Sequence, residues 1–505
     1  MDGGLHSPDR RSYTTTTMHR REIDPRAPAC EPAEPSNTVT DRLNTALQNG
    51  GQDFTLYLCP NERYLIQAPI LFAHPRQEIS TAGYPRGEER AMLVVVGPVA
   101  NGKGHTTAVD GSCSNCDGVK LRNVQIDGTR GDSTPTDGGG NIEMGGDNSD
   151  QLVEYVRSFN PRSWTCLHVA EGPLSCNNVT IQNNDIGPCG IDTFQQWADG
   201  VSLSCKNSVV RNNMIMGATD GGVVVFGSPG SLIENNTIWV TNNTLLGGIN
   251  LVDYNPYNGD YSNTIVQKNT ILGGFANDGE EPADTKGFNY ESAVIKIGIA
   301  IGPRTWFGSK FGDSRARNGV VRDNTLSGAF SYGIAVTSAD NFTILGNTLV
   351  GNTTFIGAKG PNCSDSDTVP TPAPWIVDWA TVGTDMNSGT GKVQDGFEAI
   401  SDGDSLTCVL PPNGGDFWPF GLNPSNSSSS SKSGGGYNNG GSGTVSATGG
   451  ESKAGVIVGV IVGVLAVALT AFFGRRYLLK KAEEKKHYNA ARDMAQKQEY
   501  TQRLP

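Results

Sequence analysis

Between Cys116 and Val350 the chain repeats one short pattern: a small apolar strand, a turn, then Asn-x-Ile or Asn-x-Leu. Copies stand at Asn184-Asp185-Ile186, Asn213-Met214-Ile215, Asn236-Thr237-Ile238, Asn269-Thr270-Ile271, Asn324-Thr325-Leu326 and Asn347-Thr348-Leu349. A second pattern, Gly-(Val/Ile)-x-(Leu/Val/Ile), runs between them. It occurs at Gly200-Val201-Ser202-Leu203, Gly222-Val223-Val224-Val225, Gly248-Ile249-Asn250-Leu251, Gly298-Ile299-Ala300-Ile301 and Gly333-Ile334-Ala335-Val336. Repeats of this length belong to solenoids, in which each unit buries its apolar face only against its neighbours. Alternation with a period of two makes the units strands. The recurrent Asn reads as an inward turn residue, because stacked amides satisfy one another and the turn backbone. The predicted fold class is all-β, a right-handed parallel β-helix. Its stacked sheets make a long groove suited to a polymer.

The bulk numbers agree. Of 505 residues, 65 are glycine and 18% are charged, which suits a turn-rich β protein forming one elongated domain. The formal net charge is −12. The last 31 residues hold nine Lys/Arg against four Asp/Glu, or +5, so residues 1–474 carry −17. An acidic body argues against nucleic acid as a partner. It also disfavours a strongly anionic polysaccharide.

Ten cysteines, nine of them before residue 400, accompany seven acceptor sequences at Asn178, Asn235, Asn242, Asn341, Asn352, Asn362 and Asn426. Together they favour the secretory route. The repeat itself generates Asn-x-Thr, so the expected glycosylation sites are Asn352, Asn362 and Asn426. Cys116, Cys176 and Cys205 share a frame with the apolar residues that follow them. Cys176 and Cys205 lie 29 residues apart, as do Asn184 and Asn213. They therefore occupy one position on successive coils, about 4.8 Å apart, within disulfide reach. The alternatives are two buried thiols, or pairing with nearby Cys166 or Cys189.

Residues 1–29 are polar, Arg-rich and patternless, and read as a disordered tail. They contain no apolar stretch of the signal-peptide kind. Given the cysteines and acceptor sequences, a leader upstream of this start is expected. Residues 30–420 form the β-helix ectodomain with its caps. Cys30 to about Pro69 is the N-terminal cap, with a short amphipathic helix over Thr40 to Gln48 and a strand over Thr55 to Cys59. Coils run from about Met92 to Val350. Cys363 to Phe420 is the C-terminal cap, closed by Cys363–Cys408. Its Trp375, Trp379 and Trp418 read as bulky cover for the core, with sugar stacking as the alternative. Residues 421–453 are a Ser/Gly-rich stalk. Ala454–Phe473 is a run of twenty uncharged residues, long enough for a transmembrane helix. The basic tail 475–505 follows at once, which places it in the cytosol and the β-helix outside, in a single-pass plasma-membrane protein.

The outward residue of each coil can be read by aligning the second pattern. The row is Glu143, His168, Ser202, Val224, Asn250, Ala300, Ala335. Glu143 and His168 are expected to be neighbours on one sheet face. Beside them, at strand entry, stand Asp199 and Asp220, 21 residues or one coil apart. Paired carboxylates perform acid–base work on glycosidic bonds, and adjacent like charges raise one pKa and so supply the proton donor. The candidate catalytic residues are therefore Asp199, Asp220, His168 and Glu143, the aspartates lying at the surface. An Asp-Gly pair that merely starts a turn is the alternative. Asn250, Asp253, Tyr254 and Trp306 are the candidate substrate-binding residues, with Glu171 and Arg162 at the rim. Lys296 and Arg304, beside Trp306, form a separate candidate for lyase chemistry. No metal site or cofactor is indicated, calcium included.

At Trp197-Ala198-Asp199-Gly200-Val201-Ser202-Leu203, Ala218-Thr219-Asp220-Gly221-Gly222, Phe226-Gly227-Ser228-Pro229-Gly230-Ser231 and Leu246-Gly247-Gly248-Ile249-Asn250-Leu251-Val252-Asp253-Tyr254, the sequence resembles fungal secreted or membrane-anchored right-handed β-helix proteins of the pectin-lyase-like superfamily. The resemblance covers roughly residues 30–360. It implies the fold and a polysaccharide as substrate or ligand. The polygalacturonase motifs Asn-Thr-Asp, Asp-Asp, Gly-His-Gly and Arg-Ile-Lys are absent, and so is the pectate-lyase Arg-x-Pro-x-x-Arg. Fold alone does not decide activity. The sequence therefore predicts a cell-surface carbohydrate-active enzyme, more a hydrolase than a lyase. A non-catalytic wall-polysaccharide binder or adhesin is its rival. An enzyme needs the four candidate side chains to converge in one cleft; a binder needs aromatics scattered along the groove.

Overall fold

The structure, a computed structural model, describes residues 29–193, 195–240, 243–274, 294–351, 353–355, 369–387 and 389–408. Three long sheets, of ten, ten and twelve strands, wind about a common core, and successive strands of each come from successive coils. Every pairing within these sheets along the coil path is parallel, as at Thr180–Gln182 beside Val209–Arg211 and Val209–Arg211 beside Leu232–Glu234. This is the predicted solenoid. The inward residues, such as Ile181, Val210, Ile233 and Val266 on the first sheet, are fully buried.

The asparagine repeat is a continuous ladder. Asn184 Nδ2 donates to Asn213 Oδ1 at 2.9 Å, and the same bond recurs from Asn213 to Asn236, Asn236 to Asn269, Asn269 to Asn324 and Asn324 to Asn347. From Asn213 on, each Oδ1 also accepts the backbone N–H of the ladder asparagine before it, Asn184 Oδ1 accepts that of Val156, and each Nδ2 also donates to a backbone carbonyl, as Asn236 does to Val210 at 2.9 Å. No amide is left unmatched, so burial carries no penalty. The residue before each ladder asparagine turns the corner in the left-handed region, with φ 57° at Asn183, 56° at Asn212 and 53° at Asn235. Asparagine tolerates that conformation better than other non-glycine residues, which explains the Asn-Asn pairs.

The glycine of the second pattern has a spatial origin. A Cβ on Gly222 would lie 2.5 Å from the Gly248 carbonyl oxygen and 2.7 Å from Ile238 Cγ2; Gly200, Gly248, Gly298 and Gly333 meet the next coil in the same way. Gly222→Ala is therefore expected to force adjacent coils apart and to lower the thermal midpoint sharply by circular dichroism, whereas Val224→Ala on the outer face is not.

The ends differ from the sequence reading. The helix Val39–Gly50 is the N-terminal lid, burying Val39, Leu43 and Leu47. The first coil, however, already begins at Thr55–Leu58, with Arg63–Ile66 and Ile70–Leu71 as its other strands, well before Met92. At the far end Ala373–Val377 pairs with Tyr332–Val336 and Glu398–Ala399 pairs with it in turn, so this part of the expected cap is more β-helix. Trp375 lies at the end of the inner core, with Trp379 and Phe397 packed against that core. Cys176–Cys205 is a disulfide, with Cα atoms 5.0 Å apart, and Cys30–Cys59, Cys113–Cys116 and Cys166–Cys189 are the other described pairs. Cys408 is disulfide-bonded, and its expected partner Cys363 lies outside the described residues. So do Trp418, the expected stalk, the expected membrane segment Ala454–Phe473, the basic tail, and Asn352, Asn362 and Asn426. No helix among the described residues is long and apolar enough to cross a membrane.

Candidate functional site

The outer row of the third sheet has the expected register. Glu143 pairs with His168, His168 with Ser202, Ser202 with Val224, Val224 with Asn250, Asn250 with Ala300 and Ala300 with Ala335. The row is not the long open groove that its alternation suggests. From Ala300 onward it is sealed by a second apolar cluster outside the sheet, in which Trp306 and Leu406 cover Ile297, Ala300, Tyr332, Ala335 and Ile376. The cover comes from the short helix Pro303–Phe307 and the turn Gly403–Cys408, segments that interrupt the coil repeat.

What remains open is a cavity of about 570 Å³, within the range of small-molecule sites of about 300–1,000 Å³. Asp199, Asp220, His168, Asn250, Asp253, Tyr254 and Trp306 all line it, as does Glu171. Asp199 and Asp220 are 2% and 5% exposed, not the surface residues their strand-entry positions suggest. Tyr254, Phe307 and Phe311 line the same cavity.

Glu143 stands behind His168. Its Oε2 is 2.7 Å from His168 Nδ1, and its Oε1 accepts the Gly140 backbone N–H. The carboxylate thus fixes the imidazole through Nδ1 and leaves Nε2 free of that bond, while the Trp164 ring packs edge-on at 4.9 Å. Burial works against a charged His168, but the Glu143 charge and hydrogen bond, with Glu171 and Asp199, outweigh it and raise the pKa above its ordinary value.

The aspartates are in contrasting settings. Asp199 accepts hydrogen bonds from Ser202 Oγ and the Gly221 N–H, each at 2.8 Å. Burial pushes it up to about 7, with those two bonds and His168 pulling the other way. Burial, reinforced by the charges of Asp199 and Asp253, pushes Asp220 well above the carboxylate range. Its Oδ1 has no hydrogen-bond partner, nor have Asn250 Oδ1 and Ser204 Oγ, which belong to the same cavity. All three atoms are buried from solvent, although buried polar atoms are almost always paired. Burial pushes Asp253 up to about 8, aided by Asp199 and opposed by Lys310. Gly221 has no room for a side chain: a Cβ there would lie 3.0 Å from Asp199 Oδ1 and 3.1 Å from Asn250 Nδ2.

Three candidates fall away from the cavity. Arg162 Nη1 donates to the carbonyls of Gly97 and His105 at 2.8 and 2.9 Å and tethers loops. Lys296 is buried on the strand Ile295–Ile301 and does not line the site. Arg304 Nε sits 3.0 Å from Asp404 Oδ1, an ion pair without hydrogen-bond alignment. Conversely, Trp164, Phe226, Phe307, Lys310 and Phe311 line the site and were not legible. Among the described residues no group of three or more His, Cys, Asp or Glu side chains is placed to hold a metal ion.

Residues 112–369, just over half the chain, match the family described as right-handed beta helix region. The chain belongs to this family. Solved structures similar to this β-helix protein include an alginate lyase from Paenibacillus sp. str. FPU-7, at 12% identity and TM-score 0.39, with 65% of this chain and 97% of that one covered. The A-module of a mannuronan C-5 epimerase from Azotobacter vinelandii is 14% identical, with TM-score 0.37 over 64% and 94% of the two chains. The DFA-IIIase from Arthrobacter chlorophenolicus A6, in complex with DFA-III, is 16% identical, with TM-score 0.43 over 73% and 96%. These likenesses concern the fold. A search of curated proteins finds no match.

Proposed function

We propose that this β-helix protein hydrolyses glycosidic bonds of a neutral carbohydrate chain. The observation that carries the reading is the convergence of Asp199, Asp220 and His168, with Glu143 behind it, in one aromatic-walled cavity. A binding protein that tracks a polymer by stacking would spread its aromatics along the sheet. Here Trp164, Phe226, Tyr254, Trp306, Phe307 and Phe311 gather around the carboxyl groups. Among the described lining residues Lys310 is the only lysine or arginine, fewer fixed cations than a chain of uronates would need.

The environments divide the roles. Asp220 keeps its proton, since burial and two like charges oppose its ionisation; it is the general acid toward the glycosidic oxygen. Asp199 is the ionised member, its charge held by Ser202, Gly221 and His168; it takes the proton of the attacking water. The C–O bond breaks as the Asp220 proton passes to the leaving oxygen, and water oxygen bonds the anomeric carbon. Asn250 and Asp253 hold sugar hydroxyls. The lyase alternative is weaker because Lys296 and Arg304 do not reach the cavity. We further propose that the reaction takes place outside the cell, with the chain anchored by Ala454–Phe473.

The test is turnover of a panel of neutral polysaccharides (α- and β-linked glucans, mannan, fructan) by the full-length protein, read as new reducing ends. A member hydrolysed without unsaturated product supports the reading. Binding without turnover of any member would hand the case to the binder.

A further inference from the structure

We infer that the cleft takes the end of a sugar chain, so that the enzyme works from chain termini and does not cut internally. This rests on the hydrolytic reading above and adds to it the part of the polymer that is attacked. The outer row of the third sheet is a continuous path: Leu71 pairs with Asp110, Asp110 with Glu143, and the row continues through His168, Val224 and Asn250 to Ala300, Ala335 and Ile376. Exposure falls along it. Leu71 is 47% exposed and the Glu143 and His168 side chains 15% and 20%, whereas Ser202, Val224 and Asn250 are 0%, 6% and 2% exposed and Ala300 and Ala335 are fully buried.

A polymer laid along the sheet therefore has floor on one side of the carboxyl groups and none on the other. What stops it is Trp306, which shares the outer apolar cluster with Ala300, Ala335 and Tyr332 and lines the cavity. The stop is braced. The ring of Phe311 lies 5.5 Å from Tyr254 and 5.4 Å from Phe307, so the walls on two sides form one aromatic corner. A chain threading past the aspartates would have to displace that corner and expose buried apolar surface, at roughly 25 cal/mol per Å². A chain end meets no such obstacle. The volume of about 570 Å³ is of the size that holds a few sugar units.

The experiment follows the polysaccharide that the panel identifies, using full-length protein. Products are sized by chromatography from the earliest times, and solution viscosity is recorded alongside the release of reducing ends. The expected result is mono- to trisaccharides from the outset, with viscosity nearly unchanged while reducing ends accumulate. A ladder of intermediate fragments with an early collapse of viscosity would overturn this inference and leave the hydrolytic reading standing. No turnover on any member would overturn both.

Discussion

Asp220→Asn should lower kcat by roughly 10²–10⁴-fold, the usual worth of a general acid, and Asp199→Asn should do the same. Asparagine has the shape of the carboxyl group but no proton to donate at Asp220 and no charge at Asp199. A loss below about tenfold in both variants would contradict the assignment. The pH profile should separate the two. Turnover needs Asp199 ionised, so its acidic limb should rise through about pH 7; it needs Asp220 protonated, so the alkaline limb lies higher. Asp220→Asn should also be more stable than the parent. A carboxyl whose folded pKa is raised favours the folded state only at low pH, and that advantage is lost as pH climbs from the unfolded value near 3.8 through the folded one. The amide does not titrate. Asp220→Asn should therefore melt above the parent at pH 8, with the gap closing near pH 4. A lower melting point at pH 8 would mean that Asp220 holds the fold together.

The second large effect lies far from the cavity. Asn236→Ala removes the acceptor of the Asn213 backbone N–H and Nδ2, and the donor to the Val210 carbonyl and Asn269 Oδ1. Each buried group left unmatched costs roughly 1–3 kcal/mol, against a total stability of about 5–15 kcal/mol. The expected outcome is a loss of at least about 3 kcal/mol in denaturant titration, or failure to fold. Thr237→Ala, one residue along and pointing outward, should stay within about 0.5 kcal/mol. Equal effects from the two would show that the ladder is ornamental.

The coil pattern could be read from sequence because it is enforced by local sterics at every turn. Gly222 and Asn236 have reasons to recur that lie within one coil spacing, and the register of Glu143, His168 and Asn250 follows from counting alternate residues. The cover could not be read that way. Trp306, Phe307 and Phe311 sit in an insertion that obeys no period, and only its packing on Ala300 and Ala335 shows that the outer face is closed. The burial of Asp199 and Asp220 could not be read from their strand-entry positions either. The early start at Thr55 was hidden because its strands carry neither the asparagine nor the glycine. Trp164 and Lys310 gave no signal beyond being aromatic and basic.

The covalent and hydrogen-bonded ties divide the solenoid between them. The four described disulfides all fall at or before Cys205, while the amide ladder begins at Asn184 and runs on to Asn347 and Gln394. They overlap in one place: Cys176–Cys205 and Asn184–Asn213 clamp the same two coils, which lead into the strands of Asp199 and Asp220. A stack of coils behaves as a spring, and its free play accumulates toward its ends. The chain has set its carboxyl groups where the spring is held twice, so coils can fray at either end while the spacing between these two side chains is kept.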